Sequence, residues 1–390
     1  MASNQPQVPL RKLMGPGPLD IHPRVYQALT SPVIGHMDPA YLNIIDKIGN
    51  RLREVFQTKN RITNASPGTG TSGMETCVSN LIEPGDKVLV CVHGYFGDRL
   101  RQMVERQGAE ITLIEGEWGK PTDSQRIADA LKENSYKVIT LVHAETSTGV
   151  LQPMDDIVKL AKEHGAMILL DTVTSLGGVE VKTDEWELGA AYSCSQKCIG
   201  CPPGLSPVTF SDRAVEAVKN RKHPVSSWYL DITLLDKYWG AERVYHHTSS
   251  STLNYALLEA LRLIGEEGLQ NRFDRHYQNH RALVAGVEAM GLEMHVKPAY
   301  RLPTLNTVRI PDGIDDVKTR SYLLNTFNLE IGGGLGALAG KVWRVGLMGY
   351  SSSAENILFF LSALGRALAV QGHKTDLSAG TDAAMSVLNA

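Results

Sequence analysis

From residue 72 to residue 173 one alternation repeats along the chain. Short, continuously apolar runs (KVLVCVHG, EITLIEG, KVITLVHAE and AMILLDTV) follow or precede segments with apolar residues at three- and four-residue spacing. Those segments are SGMETCVSNLI, GDRLRQMVERQG, DSQRIADALKE and PMDDIVKLAKEHG. Runs of this length predict strands buried on both faces, and the amphipathic segments predict the helices that cover them. The result is an α/β chain with a mostly parallel sheet between helices. Upstream, AYLNIIDKIGNRLREVFQT places Ile44, Ile48, Leu52 and Val55 on one helical stripe. Downstream, LEALRLIGEEGLQNRFDRHYQNHRALVAGVEAM predicts long helices without strands between them, which sets a boundary near residue 268. Beyond it, TLNTVRIP, RSYLLNTF, KVWRVGLMG and the helix SAENILFFLSALGRALAV predict a small α+β domain. The expected division is an N-terminal extension over 1–20, a large domain over 21–268, a small domain over 269–372 and a loosely held tail over 373–390.

Composition narrows the function classes. The 390 residues carry a formal net charge of −3 with no long basic run, which excludes an obvious nucleic-acid or anionic-membrane surface. No window reaches the roughly 18 apolar residues of a membrane span, and the N-terminus lacks the apolar core of a secretory signal. The last residues, SVLNA, are neither a prenylation box nor a peroxisomal tripeptide. With five cysteines, an odd number, these features predict reduced thiols and a cytoplasmic location. CSQKCIGC holds three of the thiols, but they are unevenly spaced and no His lies among them, so buried thiols are expected there and no metal.

The stretch NASPGTGTSGMET contains Gly68, Gly70 and Gly73 in a G-x-G-x-x-G pattern. A dinucleotide loop follows a buried apolar strand, and an acidic residue ends the next strand to bind ribose. Here NRITNAS is too polar for a buried central strand, and HGYFGD places His93 and an aromatic pair where the acid belongs. Both observations count against NAD. Small residues opening a helix still make an anion site, because first-turn amides and the positive end of the dipole face outward. The loop reads as a phosphate cup or as a plain strand-to-helix turn.

Three further stretches decide between these. AMILLDTVTSLGG ends an apolar strand on Asp171, which could cap a helix or pair with a protonated ring nitrogen. AAYSCSQKCIGCPPGLSP sets Lys197 in a locally uncharged run closed by Pro202, Pro203 and Gly204. A surface Lys is the commoner case, but this setting favours a depressed pKa and Schiff-base chemistry. HGYFGDRL places Tyr95 and Phe96 after a strand, where a ring could stack on a planar cofactor or pack into the core. A phosphate cup, a stacking ring, a strand-end carboxylate and a buried lysine are together what pyridoxal 5′-phosphate requires.

The motifs LMGPGP, VFQT, GVLQPMD, LLDTVTSLGG, SQKCIGCPPGLS, SWYLDI, YHHT, EIGGGLG and KVWRVGLMG, spread from about Leu13 to about Val370, resemble those of the alanine–glyoxylate/serine–pyruvate (serine–glyoxylate) aminotransferases. These are class V pyridoxal-phosphate enzymes of fold type I. The resemblance implies a seven-stranded type of sheet and an N-terminal extension packed on a partner subunit. It implies that Lys197 forms the Schiff base and carries the proton, that Asp171 pairs with the ring nitrogen, and that Val173 packs on the ring. Thr69, Gly70 and Thr71 match the phosphate-contacting tripeptide, Gln196 the glutamine beside the lysine, and Thr146 a hydroxyl facing the cofactor. Tyr245 and Thr248 match residues that reach the phosphate from the other subunit, implying a homodimer with shared active sites. Arg344 matches the arginine that binds the substrate carboxylate, a task suited to an always-charged bidentate fork. Gly35 and His36 match a loop lining the substrate pocket. Phe96 stands where the animal enzymes stack a Trp, and Thr71 where they carry a His.

The implied reaction moves an amino group from a small amino acid, alanine or serine, to glyoxylate in two half-reactions. Aspartate and ureidoglycine are alternative donors, though the lack of a second Arg near these motifs favours a small side chain. A desulfurase-like lyase needs a nucleophilic Cys late in the chain, and the last here is Cys201. A non-catalytic relative would lack the lysine or the arginine.

Overall fold

The structure, a computed structural model, describes residues 8–390. Seven strands build the large sheet: β1 (Ile62–Pro67), β2 (Lys87–Val92), β3 (Glu110–Glu115), β4 (Val138–Val142), β5 (Met167–Asp171), β6 (Ala190–Tyr192) and β7 (Leu205–Phe210). Their order is β1-β7-β6-β5-β4-β2-β3. All neighbours are parallel except β7, which runs antiparallel to both β1 and β6. Three of the apolar runs, β2, β4 and β5, are buried on both faces because alternate residues feed two cores, whereas EITLIEG forms the edge strand β3, where only Ile114 is buried and Leu113 is exposed. Leu89, Cys91, Ile139, Leu141, Ile168 and Leu170 join one, and Val88, Val90, Val138 and Leu169 join the other.

The polar stretch NRITNAS does not form a central strand: its residues from Ile62 enter β1, at the edge of the sheet, which is nonetheless buried. Its hydroxyls are absorbed locally: Thr63 Oγ1 lies 2.9 Å from Thr209 Oγ1, and Ser66 Oγ 3.2 Å from Thr76 Oγ1. Polar side chains with partners can be buried at modest cost, which composition does not register.

A third core belongs to β8 (Leu305–Arg309), β9 (Gly332–Gly333) and β10 (Val342–Gly346), ordered β8-β10-β9, with the helices Leu269–Ala289, Asp316–Phe327 and Ala354–Val370. Gly268, at φ +82°, separates the helices Ser251–Glu267 and Leu269–Ala289. The segment after residue 8 joins this core: Lys12–Leu13 pair in parallel with Leu329–Glu330, and Met14 is fully buried. Val8 and Leu10 remain exposed.

The expected loose tail is instead a helix, Leu377–Leu388, capped by Asp376 through Ala379 N at 2.9 Å. It docks on Leu269–Ala289. A Cβ on Gly380 would stand 2.4 Å from Met290 Cγ, and one on Gly286 2.4 Å from Leu361 Cδ1. The small residues that make this segment look weakly apolar are what allow the helices to approach so closely. Among the described residues, no helix is long and apolar enough to cross a membrane.

Candidate active site

Five strand ends meet on one edge of the sheet. β1 leads into Gly68–Thr71, β2 into Gly94–Phe96, β4 into Glu145–Thr146, β5 ends on Asp171, and β6 leads toward Lys197. Ligands of open α/β sheets bind at this carboxyl edge because successive loops diverge there.

The cup is built by Gly68, at φ +107°, and by a helix beginning at Gly70. Thr69 is its N-cap but makes no side-chain capping bond; Ser72 N donates to Thr69 O at 2.8 Å, which leaves the Gly70 and Thr71 amides for an external acceptor. Gly70 is held close: a Cβ there would sit 3.1 Å from both Val173 Cγ2 and Cys194 Cβ. Thr71 Oγ1 accepts from Arg99 Nη1 at 3.2 Å, and the Arg99 guanidinium lies 4.9 Å from the Phe96 ring centroid. Gln196 adds a buried Oε1 without a hydrogen-bond partner among the described residues. An unclaimed helix start with an orphaned polar atom beside it fits a phosphate ester carrying a polar ring.

Asp171 is 2% exposed, and both its oxygens are occupied. Tyr192 Oη, on the paired residue of β6, donates to Oδ2 at 2.7 Å, and Val173 N donates to Oδ1 at 2.8 Å. Burial nonetheless pushes the carboxyl up to about 7, with the charge of Glu145 adding to the rise. A carboxylate so placed gains most from a cationic partner.

Lys197 is buried, and its amine contacts the Pro16 carbonyl of the N-terminal segment. Burial lowers its pKa, and the Arg344 charge works in the same direction. Gly17, at φ +104°, packs directly over the lysine stem: a Cβ there would fall 2.8 Å from Lys197 Cδ. The loop is braced from behind by Arg272, which donates to Gly177 O at 2.7 Å, to Cys198 O at 2.5 Å and to Glu267 Oε2 at 2.7 Å.

Arg344 comes from β10 of the small domain. Its Nε donates to Gly333 O at 2.7 Å and Nη1 to Thr146 O at 3.4 Å. Burial brings its pKa down to about 10, with Glu145 opposing the fall. Thr146 Oγ1 lies 2.7 Å from Thr174 Oγ1.

The structure thus brings Thr69, Gly70, Thr71, Phe96, Thr146, Asp171, Val173, Gln196, Lys197 and Arg344 to one edge. Tyr245 and Thr248 are exposed, and among the described residues no hydrogen bond ties either of them to the cup. Tyr245 instead faces His36, ring centroids 5.2 Å apart, and Gly35 is exposed beside it. Four contributors were not singled out by the sequence: Glu145, Tyr192, Arg272 and Pro16. Glu145 and Tyr192 lay inside quoted motifs, where a carboxylate beside Thr146 and a Tyr on a buried strand were the available signals. Arg272 reads as an ordinary helical charge.

A family model described as aminotransferase class-V matches residues 26–355. The chain belongs to this family. The class-V aminotransferases are pyridoxal-phosphate enzymes, and this protein is a transaminase that uses that cofactor. It is 40% identical to an alanine–glyoxylate aminotransferase of Drosophila melanogaster, over 95% of this chain and 96% of that one. A crystal structure of an alanine–glyoxylate aminotransferase from Nostoc superposes with a TM-score of 0.92 at 50% identity, covering 94% of this chain and 98% of that one. The ureidoglycine–glyoxylate aminotransferase of Bacillus subtilis superposes with a TM-score of 0.97 at 39% identity, covering 99% and 100%. The fold of this class-V transaminase is the one expected: an α/β sheet of seven strands with helices on its faces.

Proposed function

We propose that the enzyme transfers the amino group of a small amino acid, alanine or serine, to glyoxylate, and that Lys197, Asp171 and Arg344 carry the work. The supporting observation is that these three groups are all buried and come from separate elements, with Lys197 within electrostatic reach of both Asp171 and Arg344. Pyridoxal phosphate bound at this edge supplies an aldehyde for the lysine amine and a ring that accepts electrons. The amides of Gly70 and Thr71 would hold the phosphate, with the NH2 end of the Gln196 carboxamide as a further donor. Phe96 would cover one face of the ring and Val173 the other. Asp171, ionised, keeps a proton on the ring nitrogen. Lys197, whose pKa is lowered by burial and by the Arg344 charge, would take the α-proton of the amino acid at Nζ. Arg344 fixes the carboxylate of each substrate in turn, first the amino acid and then glyoxylate. Gly35 and His36 line the approach for the substrate.

The same reading assigns a homodimer, in which Tyr245 and Thr248 of a second copy complete the phosphate site. Their exposure, with that of Trp228 at 63% and Val244 at 48%, fits a surface covered by another chain. It also retains the division at residue 268, and the five buried free thiols fit a reducing cytoplasm. Half-reaction rates on the purified enzyme, followed by cofactor absorbance with alanine, serine, aspartate and ureidoglycine, test the donor. Alanine or serine should react fastest. A faster rate with ureidoglycine, the donor named for the Bacillus subtilis protein, would replace that assignment and leave the chemistry intact. Lys197→Ala should remove turnover altogether.

A further inference from the structure

Glu145 is fully buried in the two-residue strand Ala144–Glu145 that follows β4, and among the described residues none of its hydrogen-bond partners is a cation. Its four contacts are all donors. Phe96 N and Gly97 N reach Oε2, each at 3.2 Å, while Ser147 N at 3.0 Å and Ser147 Oγ at 2.6 Å reach Oε1. A carboxylate surrounded only by donors is bonded as an acceptor throughout. One oxygen caps the helix Tyr95–Arg106, whose own N-cap, Gly94, has no side chain to do so. The other closes the turn that presents Thr146. Ser147 Oγ also accepts from Tyr95 N at 2.9 Å, which adds a second tie between the two segments. The Thr146 carbonyl in turn receives Arg344 Nη1. The charge of Glu145 acts on both Arg344 and Asp171.

We propose that Glu145 is a positioning residue that sets the distance between the cofactor-stacking ring of Phe96 and the substrate-binding guanidinium of Arg344. The inference rests on the roles given above to Phe96 and Arg344. Gly94 belongs to the same device. A Cβ at that position would stand 2.3 Å from Glu145 Cγ and 2.7 Å from Ser147 Oγ, so only glycine lets the carboxylate reach the helix start.

The test compares Glu145→Gln and Gly94→Ala with the wild-type holoenzyme. Glutamine keeps one acceptor oxygen and turns an NH2 group toward one donor pair. Gly94→Ala keeps the charge and displaces it. In both variants the dissociation constant of pyridoxal phosphate from the apoprotein, read by fluorescence titration, should rise about 10-fold. That is the loss expected for one hydrogen bond to a charged group. The near-ultraviolet dichroism of bound cofactor should change, because the ring is re-oriented. KM for alanine should rise about 10-fold with kcat within about 3-fold, since Arg344 is displaced and not removed. Ser147→Ala should move the same quantities less. The proposal is overturned if both principal variants keep wild-type cofactor affinity and KM, or if their sole change is a lower Tm. Phe96→Ala and Arg344→Lys are the controls. Unaltered cofactor and substrate binding in those two would remove the underlying roles, an outcome separate from the failure of Glu145.

Discussion

Replacing Tyr192 with phenylalanine removes one atom from the site and leaves the packing of a fully buried ring unchanged. That atom donates to Asp171 Oδ2 at 2.7 Å. The phenol is a reliable donor, since burial and the neighbouring Asp171 charge raise its pKa well above the usual range. A hydrogen bond to a charged acceptor contributes about 1.5–3 kcal/mol, more than a neutral one, because the lost partner leaves a buried charge uncompensated. At about 1.4 kcal/mol per pKa unit, its removal raises the proton affinity of Asp171 by about 1–2 units. The carboxyl already sits at about 7 through burial, so the shift carries it into the range where it competes for the proton it should leave on the cofactor ring. The expected outcome for Tyr192→Phe is a kcat about 10-fold or more below wild type, with KM for alanine nearly unchanged because Arg344 is untouched. The acid limb of the pH profile of kcat should move to higher pH. Stopped-flow half-reactions from pH 6 to 9, with deuterium at the α-carbon of alanine, separate proton transfer from product release. A variant with wild-type kcat and an unmoved pH profile would refute the claim that Asp171 must remain ionised to activate the ring.

Other consequences follow from the same geometry. In the apoprotein, Asp171 has its pKa raised above the unfolded value of 3.8, so the folded state holds the proton more tightly. Its contribution to stability is therefore present at low pH and lost as pH rises through about 7, the reverse of a salt-bridged aspartate. Thermal melts at pH 5.5 and 8 should show wild-type apoprotein losing more Tm across this window than Asp171→Asn; equal changes would count against the assignment. Gly73→Ala places a Cβ 1.9 Å from Ser206 Oγ, which itself donates to Ser193 O at 2.5 Å. Overpacking of this kind costs about 1–3 kcal/mol, so a lower denaturation midpoint is expected, with partial recovery in Gly73→Ala/Ser206→Ala. Truncation after Gln371 strips the docked C-terminal helix from the small-domain core and should lower Tm by several degrees without altering the cofactor spectrum. Tyr245→Ala should weaken cofactor binding only if a second copy completes the site, so sedimentation and cofactor titration are to be measured on the same sample.

The sequence by itself determined the α/β class, the central strands and most of the residues now seen at the sheet edge. It could do so because continuous apolar runs and short motifs are local: the strand that ends on Asp171 and the uncharged loop around Lys197 need no distant partner to be recognised. Local patterns failed where burial depends on contacts remote in the chain. β1 looked too polar because its partners, Thr76 and Thr209, lie on other elements. The tail looked loose because its small residues, such as Gly380, are valued only against Met290 and Gly286. Arg272, an unremarkable charge on a long helix, becomes the brace of the lysine loop only when Gly177 and Cys198 turn their carbonyls toward it. Glu145 was adjacent to a recognised threonine, but nothing in its own neighbourhood shows that it caps a helix beginning fifty residues earlier. Tertiary structure alone decided these, because a buried polar group acquires its energy and its role from the donors or acceptors that enclose it, and those are assembled by folding.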